Sequence, residues 1–484
     1  MPETWAKQAM VAGVDLHLEL SGTRVRAGLE NALRQAVRAG RLGPGTRLPS
    51  SRALAADLGL ARNTVAEVYT QLVAEGWLTA RTGSGTSVAE RRPAEPAARP
   101  GARAEVAVLR YDLRAGVPDL AAFPRRAWLA TARKALAAAP DRLLDYPDPR
   151  GLEQLRVVLA GYLARVRGVS ADPEHIVICA GFAHGLAVTC RALRAAGAGT
   201  LAVESHGHQV HRDIARAAGL RLRPLPVDDR GAVIAGAPGA HGTHGAYGAE
   251  AMLLTPAHQF PLGVTLHPQR RREAADWPGV VIEDDYDGEF RYDRQPVGAL
   301  QALAPDHIVY AGTTSKSLVP SLRLGWLVVP PRLLDAVTAQ LTAGPPGLDQ
   351  LTLAEFISSG GYDRQVRRAR LAYRRRRDAL AAALRRQGLH VTGIAAGLHA
   401  VLAVPGTGTE RRLVARAAEH GLALQGLESY RAGGRLPAAD AGRAGLVIGY
   451  ARPPEHAYTT ALARLCAVLA ARSAGHRTGS GWPP

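Results

Sequence analysis

From about residue 110 onward, short apolar runs recur between stretches of helical character, at 176–179, 201–203, 252–254, 280–282, 308–310 and 327–329. Apolar runs of three or four residues, too short for buried helices, read as strands, and strands that alternate with helices build a doubly wound α/β sheet. Beyond about residue 365 the pattern changes to a long arginine-rich helix and shorter strands near 398–404 and 446–450, the makings of a smaller C-terminal α/β subdomain at about 365–475. With 484 residues the chain is too long for one compact core.

The first ninety residues follow another rule. Val25, Leu29, Leu33, Ala36 and Val37 keep a helical period, and the run GRLGPG at 40–45 stops it. Ser50 or Ser51 can cap a short helix through Leu54 and Leu58, which Gly59 ends. A third helix carries Val65, Val68, Tyr69, Leu72 and Val73 on one face. Strands at 77–79 and 86–88 flank Gly83-Ser84-Gly85. Two helices joined through a glycine and followed by a hairpin make a winged helix-turn-helix. The first turn of its third helix, Arg62-Asn63-Thr64, faces outward, with residue types suited to base edges and phosphates. Arg52 can reach a phosphate or a guanine, and Gly83 lets the wing backbone approach a minor groove.

The head therefore spans 20–90, a Pro-, Ala- and Arg-rich linker 91–108, and the body 109–475. The net charge of +18 favours a polyanionic partner only weakly, since 21–90 holds nine arginines against five acidic residues. The densest basic stretch, Arg364 to Arg377 with eight arginines, reads as a solvated helix face, or as a second DNA surface. Cys179, Cys190 and Cys466 form neither a disulfide framework nor a zinc spacing. There is no apolar run of membrane-spanning length and no signal-peptide pattern, so a reduced cytoplasm is expected. His241 and His244, in the low-complexity segment 235–249, could bind metal but read better as a loop, so no metal is expected.

Lysine is scarce. Of 60 basic residues only Lys7, Lys134 and Lys316 are lysines, and only a lysine amine can form a Schiff base. Lys7 falls in a loose terminus and Lys134 on a helix surface. Lys316 lies in the small-residue loop GTTSKS directly after an apolar strand. Two other segments join it. One is the strand at 176–179 followed by Ala180-Gly181-Phe182-Ala183 and a helix, whose opening amides can hold a phosphate. The other is VVIEDDYDGEF, where carboxylates follow a strand at its C-terminal end. Alternation puts Asp284 and Tyr286 on one face and Asp285 on the other; the same segment also reads as a solvated acidic loop. The three pieces fit pyridoxal 5'-phosphate: Lys316 for the aldehyde, Asp284 for the pyridine nitrogen, Tyr286 for the phenolic oxygen, and Thr313, Ser315 and Arg323 for the phosphate.

The run GRLGPGTRLPSSRALAADLGLARNTVAEVYTQLVAEGWLTARTGSGTSV resembles the head of GntR-type repressors. By that resemblance Arg52, Arg62, Asn63, Thr64 and Gly83 match DNA-contacting positions, with Arg47 a further candidate; Ala66 stands where many relatives have an arginine. The stretches DYPDPRGLEQLR, CAGFAHGL, LLTPAHQFPLGVTL, VIEDDYDGEFRYDRQPVGALQAL and AGTTSKSLVPSLRLGWLVVP resemble the MocR-type regulators, which carry a GntR head on a fold-type I aminotransferase-like body. The resemblance implies that Lys316 is the Schiff-base lysine and that Ser315, Arg323 and the amides of Gly181, Phe182 and Ala183 bind the phosphate. It further implies that Tyr146 reaches the phosphate across a dimer interface and that His258 approaches the ring.

Two departures bear on the ligand. Ser205-His206-Gly207-His208 replaces the Asp-Pro-Gly-Tyr frequent in relatives, so His208 takes the stacking place of the aromatic. Val210 replaces a carboxylate-binding arginine of one relative, which counts against a GABA-type effector and leaves Arg452 as the candidate carboxylate clamp. The resemblance implies a DNA-binding regulator that senses pyridoxal phosphate, an amine or an amino acid, as a domain-swapped homodimer, acting on vitamin B6 or amine genes. An aminotransferase with an accessory DNA head, and a regulator whose body has lost the cofactor, are the competing expectations.

Overall fold

The computed structural model describes residues 5–11, 14–20, 25–81, 85–90, 109–234, 248–292, 297–433 and 442–470. Gly83, the linker at 91–108, and His241 and His244 lie outside the described residues. The chain divides into two compact units, Met1–Val106 and Ala107–Pro484.

In the first unit, helices Val25–Arg38, Ser51–Leu58 and Arg62–Ala74 precede a hairpin of Leu78–Arg81 and Gly85–Val88. Leu29, Leu33, Leu54, Leu58, Val65, Val68 and Leu72 close around one another as its core. Of the two candidate caps Ser50 is the one used, its hydroxyl accepting from Ala53 N at 3.2 Å. Gly59 ends that helix at φ 60°, a left-handed conformation that a Cβ disfavours, and so makes the tight turn into the third helix. Trp77 joins the core rather than the wing, whose ladder begins at Leu78, and the Arg38 guanidinium lies 5.1 Å from its ring centroid. One expectation is corrected: Lys7 is not in a loose terminus but in strand Trp5–Val11, paired antiparallel with Val14–Leu20. The signal was the strict alternation of Val14, Leu16, Leu18 and Leu20 with Asp15, His17 and Glu19.

The second unit is built on a seven-stranded sheet in the order Ile176–Cys179, Gly325–Val328, Ile308–Thr313, Val280–Asp284, Ala251–Leu254, Thr200–Glu204, Arg221–Leu225. Only Gly325–Val328 runs antiparallel to its neighbours. Six of the strands are wholly or almost wholly buried and read as continuous apolar runs, as strands covered on both faces must. Their C-terminal ends deliver Asp284, the Lys316 loop and the glycine turn at 181 to one region.

The C-terminal subdomain is a four-stranded antiparallel sheet, Val391–Thr392, His399–Ala403, Gly445–Gly449, Gln425–Gly426. Leu402, Leu413, Leu446 and Leu465 pack with Leu380 and Leu384 of the long helix Gly361–Arg385. The short strand Tyr111–Asp112 pairs with Leu422–Ala423, so the start of the body is stitched to this subdomain, a link too short for periodicity to reveal.

Candidate functional site

The helix Phe182–Ala195 starts at Gly181, whose φ of 79° lets the chain turn from the strand Ile176–Cys179 directly into the helix. A Cβ on Gly181 would stand 3.3 Å from Arg323 Nη1, so the glycine also makes room for that guanidinium. The opening amides of the helix, at Phe182 and Ala183, thus lie beside a cation, and the positive end of the helix dipole adds to it. Ser315 is tied to the residue after Arg323 through Thr313: its Oγ lies 2.9 Å from Thr313 Oγ1, its amide donates to that oxygen at 3.1 Å, and Thr313 Oγ1 lies 3.3 Å from Leu324 O. Arg323 itself has a φ of 52°.

Lys316 is half-buried, and its Nζ donates to Gly116 O at 2.6 Å. Burial lowers its pKa, against the raising fields of Asp284 and Asp287. A lowered pKa raises the fraction of free amine, the form that attacks a carbonyl. Asp284 ends the central strand, and burial drives its carboxyl well above the usual range, with Lys316 pulling the other way. Its Oδ1 is buried with no hydrogen-bond partner among the described residues.

The expected alternation holds. Asp285 turns from this cluster to a buried ion pair with Arg167, Oδ2 to Nε at 2.6 Å, and accepts from Tyr310 OH at 2.8 Å. Tyr286 OH lies 3.1 Å from His258 Nδ1, and Asp287 Oδ2 lies 2.8 Å from the same nitrogen. Burial raises the Tyr286 pKa well above 10.0, keeping the hydroxyl protonated.

His208 precedes the helix Gln209–Ala217 and is stacked on Phe260, with centroids 4.1 Å apart and planes at 15°. Burial pushes its pKa down to about 2 and that of His211 to about 3, so both rings are neutral at ordinary pH. Tyr146, 99% exposed, stands apart from the cluster in its own chain. Arg452 Nη2 is paired with Asp112 Oδ2 at 2.8 Å. In the first unit Arg47, Arg52, Arg62 and Asn63 are exposed and Thr64 half-buried, and Arg47 lies against Gly85 of the wing.

Several groups here had no signal in the sequence. Gly116 reaches Lys316 from 200 positions away, and Phe260, in a loop, meets Glu204 at the end of a strand. Asp287 was visible in VIEDDYDGEF, but the strand ends at Asp284, so its direction could not be counted out. No group of three or more His, Cys, Asp or Glu among the described residues could hold a metal. No helix among them is long and apolar enough to cross a membrane.

Residues 26–88 match the family model of bacterial regulatory proteins of the gntR family, and residues 111–439 that of aminotransferase class I and II, a pyridoxal-phosphate-dependent fold family. The HTH-type pyridoxine biosynthesis transcriptional regulator PdxR of Corynebacterium glutamicum is 34% identical over 392 residues, covering 78% of this chain and 83% of that protein. The HTH-type transcriptional regulator TauR of Rhodobacter capsulatus is 34% identical, covering 76% and 82%. The probable rhizopine catabolism regulatory protein MocR of Rhizobium meliloti is 32% identical, covering 74% and 76%. Among solved structures, an archaeal alanine:glyoxylate aminotransferase superposes with a TM-score of 0.65 at 22% identity, over 74% of this chain and 90% of that one, which shows the shared fold. A winged helix-turn-helix head, a body with the aminotransferase sheet, and relatives of matching layout together make this chain a member of the MocR branch of the GntR family of transcriptional regulators.

Proposed function

We propose that the body of this regulator binds pyridoxal 5'-phosphate and reports its presence, or that of an amine or amino acid reacting with it, to the DNA-binding head. The observation that carries this is Asp284 Oδ1, a buried carboxylate oxygen without a partner at the end of the central strand, within the field of Lys316. Burying such an atom costs several kcal/mol (about 1–3 for a neutral group, more for a charge) unless something bonds to it. A protonated pyridine nitrogen is a donor of the right kind. The second fit is the cradle where Gly181 leaves space for the Arg323 guanidinium at a helix start, suited to a phosphate.

In this reading Lys316 holds the aldehyde and Asp284 the pyridine nitrogen. Tyr286, oriented by His258, holds the phenolic oxygen. Ser315, Arg323 and the amides of Phe182 and Ala183 hold the phosphate, while the Gly181 amide, expected to join them, donates to Cys179 O at 2.8 Å and leaves Gly181 to shape the turn. Tyr146 is left to serve a second copy of the chain in a domain-swapped homodimer, and His208 exchanges Phe260 for the ring. Bound there, the cofactor supplies an electrophilic carbon for amines and an electron sink. The chain's own part is to lower the pKa of Lys316, to set the Asp284 carboxyl against the ring nitrogen, and to exclude water. Arg452 is the carboxylate clamp for an amino-acid effector once Asp112 releases it. The head reads DNA through Arg47, Arg52, Arg62, Asn63, Thr64 and Gly83.

The roles in the relatives' names, pyridoxine biosynthesis and rhizopine catabolism, support a vitamer or an amine as the signal. An effector acts by binding one arrangement of the two heads better than another. The test is a footprint on the upstream DNA with and without pyridoxal phosphate, together with the visible absorbance of the loaded protein. Colour that is absent from Lys316→Ala, and a footprint that changes with the cofactor, are expected. Colourless wild-type protein sinks the cofactor reading. Steady turnover of an amino donor with a keto acid would replace regulation by catalysis.

A further inference from the structure

A cavity of about 390 Å³ lies between the last turns of helix Glu153–Arg167, the segment at Gly288 and Glu289, and the first turns of helix Gly361–Arg385. It shares no lining residue with the pocket beside Asp284. Among the described residues five arginines line it, against Glu289 and Asp363. Arg165 is neutralised by Asp363 at 2.8 Å and Arg167 by Asp285 at 2.6 Å. Among the described residues Arg370 uses only Nε, donating to Glu289 O at 2.7 Å, which leaves both Nη groups. Arg367 is exposed and has no ion pair with any described residue. Arg291 is engaged too, its Nη1 donating to Ala257 O and Thr265 Oγ1 at 3.1 Å each, so the donors left for a ligand are those of Arg367 and Arg370.

The floor of the cavity leads to the Lys316 loop. Glu289 Oε1 lies 3.5 Å from the hydroxyls of both Tyr162 and Tyr362. Tyr362 is fully buried, and its hydroxyl lies 2.6 Å from Ser317 Oγ, on the residue after Lys316. On the other wall, Asp285, the partner of Arg167, directly follows Asp284.

We propose that this cavity is a second ligand site, for a compact dianion such as a phosphate ester or a dicarboxylate, whose occupancy is transmitted to Lys316 through Glu289, Tyr362 and Ser317. Guanidinium forks hold such oxyanions with paired hydrogen bonds, and the volume suits a small molecule. A negative ligand beside Glu289 disfavours its ionised form, and burial already pushes that carboxyl up to about 7. Its two long tyrosine contacts are then the ones that change, and the Tyr362–Ser317 bond moves with them. DNA is the poorer occupant, because its phosphates match an exposed stripe rather than a recess with a carboxyl at its floor.

The test uses the full chain loaded with pyridoxal phosphate, so that the Ser315–Arg323 corner is filled, titrated calorimetrically with inorganic phosphate and separately with succinate. We expect saturable binding of at least one anion, one per chain, weakened at least about tenfold in the Arg367→Ala, Arg370→Ala double variant. We also expect the bound anion to shift the visible band, and Tyr362→Phe to abolish that shift while binding persists. No saturable binding of either anion, equal affinity in the double variant, or a band unmoved by bound anion overturns the proposal. So does loss of DNA affinity in the double variant without any anion binding, which would assign these arginines to DNA phosphates.

Discussion

Arg452 meets Asp112 at 2.8 Å, and the same carboxylate also receives Arg114 through Nε at 3.0 Å and Nη2 at 2.6 Å. The arginine proposed as a clamp for an effector's carboxylate is thus already held by a carboxylate of its own chain. An incoming amino acid has to compete with Asp112, whereas an amine without a carboxylate does not. Replacing Asp112 by Ala should strengthen binding of L-amino acids relative to the corresponding decarboxylated amines by about tenfold, the scale of one charge-assisted pair. Spectral titration of the loaded protein with both series measures the ratio. A ratio equal to wild type removes Arg452 from the effector site.

Glu204 offers a test by pH. Burial raises its pKa from 4.5 to about 7, with Thr255 and Gln259 partly offsetting through hydrogen bonds. The folded state therefore holds the proton more tightly than the unfolded chain. The stability this contributes is complete below about pH 4.5 and disappears as pH rises through about 7. Glu204→Gln has no ionisation to lose, so its stability relative to wild type should improve between pH 5 and pH 8 by about 2.5 kcal/mol. Urea unfolding at the two pH values decides it; a pH-independent difference refutes the assignment.

The Arg167–Asp285 pair is buried at both ends, with side chains 5% and 1% exposed. Arg167→Met leaves the carboxylate of Asp285 with Tyr310 as its one side-chain hydrogen-bond donor among the described residues and should destabilise the body by about 3–5 kcal/mol. Adding Asp285→Asn to that variant should restore much of the loss, because the stranded charge is then gone. Denaturant midpoints of the two variants check this, and a double variant no better than the single one contradicts it.

Arg62 is exposed at the start of the third helix of the head. Arg62→Ala should weaken binding to the upstream DNA by about 1–3 kcal/mol, the worth of one specific base contact, while leaving the visible absorbance of the loaded body unchanged. Mobility shift and absorbance on the same preparation measure both. Unchanged DNA affinity takes the recognition role away from this turn.

What could be read from the sequence followed from the range of the forces involved. The helices of the head and the strands carrying Asp284 and Lys316 depend on local periodicity, so Val65, Val68 and Leu72 or the run at 280–282 announced themselves. The separation of Asp284 from Asp285 needed only the alternation of a strand. Contacts that close over long sequence distances left no such trace. Gly116 as the acceptor for Lys316, the stacking of His208 on Phe260, and the grip of Asp112 on Arg452 depend on where loops meet in space. The Arg364–Arg377 stretch was visible as charge, but its division into paired and unpaired guanidiniums required the fold.

Arg323, at φ 52°, is the one non-glycine residue with a positive φ among the described residues. An arginine held there gives up about 1 kcal/mol that glycine would not. Thermostability and ligand capture consequently oppose each other at this position. A library screened for heat resistance alone should enrich glycine at 323, whereas one screened for response to a vitamer should hold arginine.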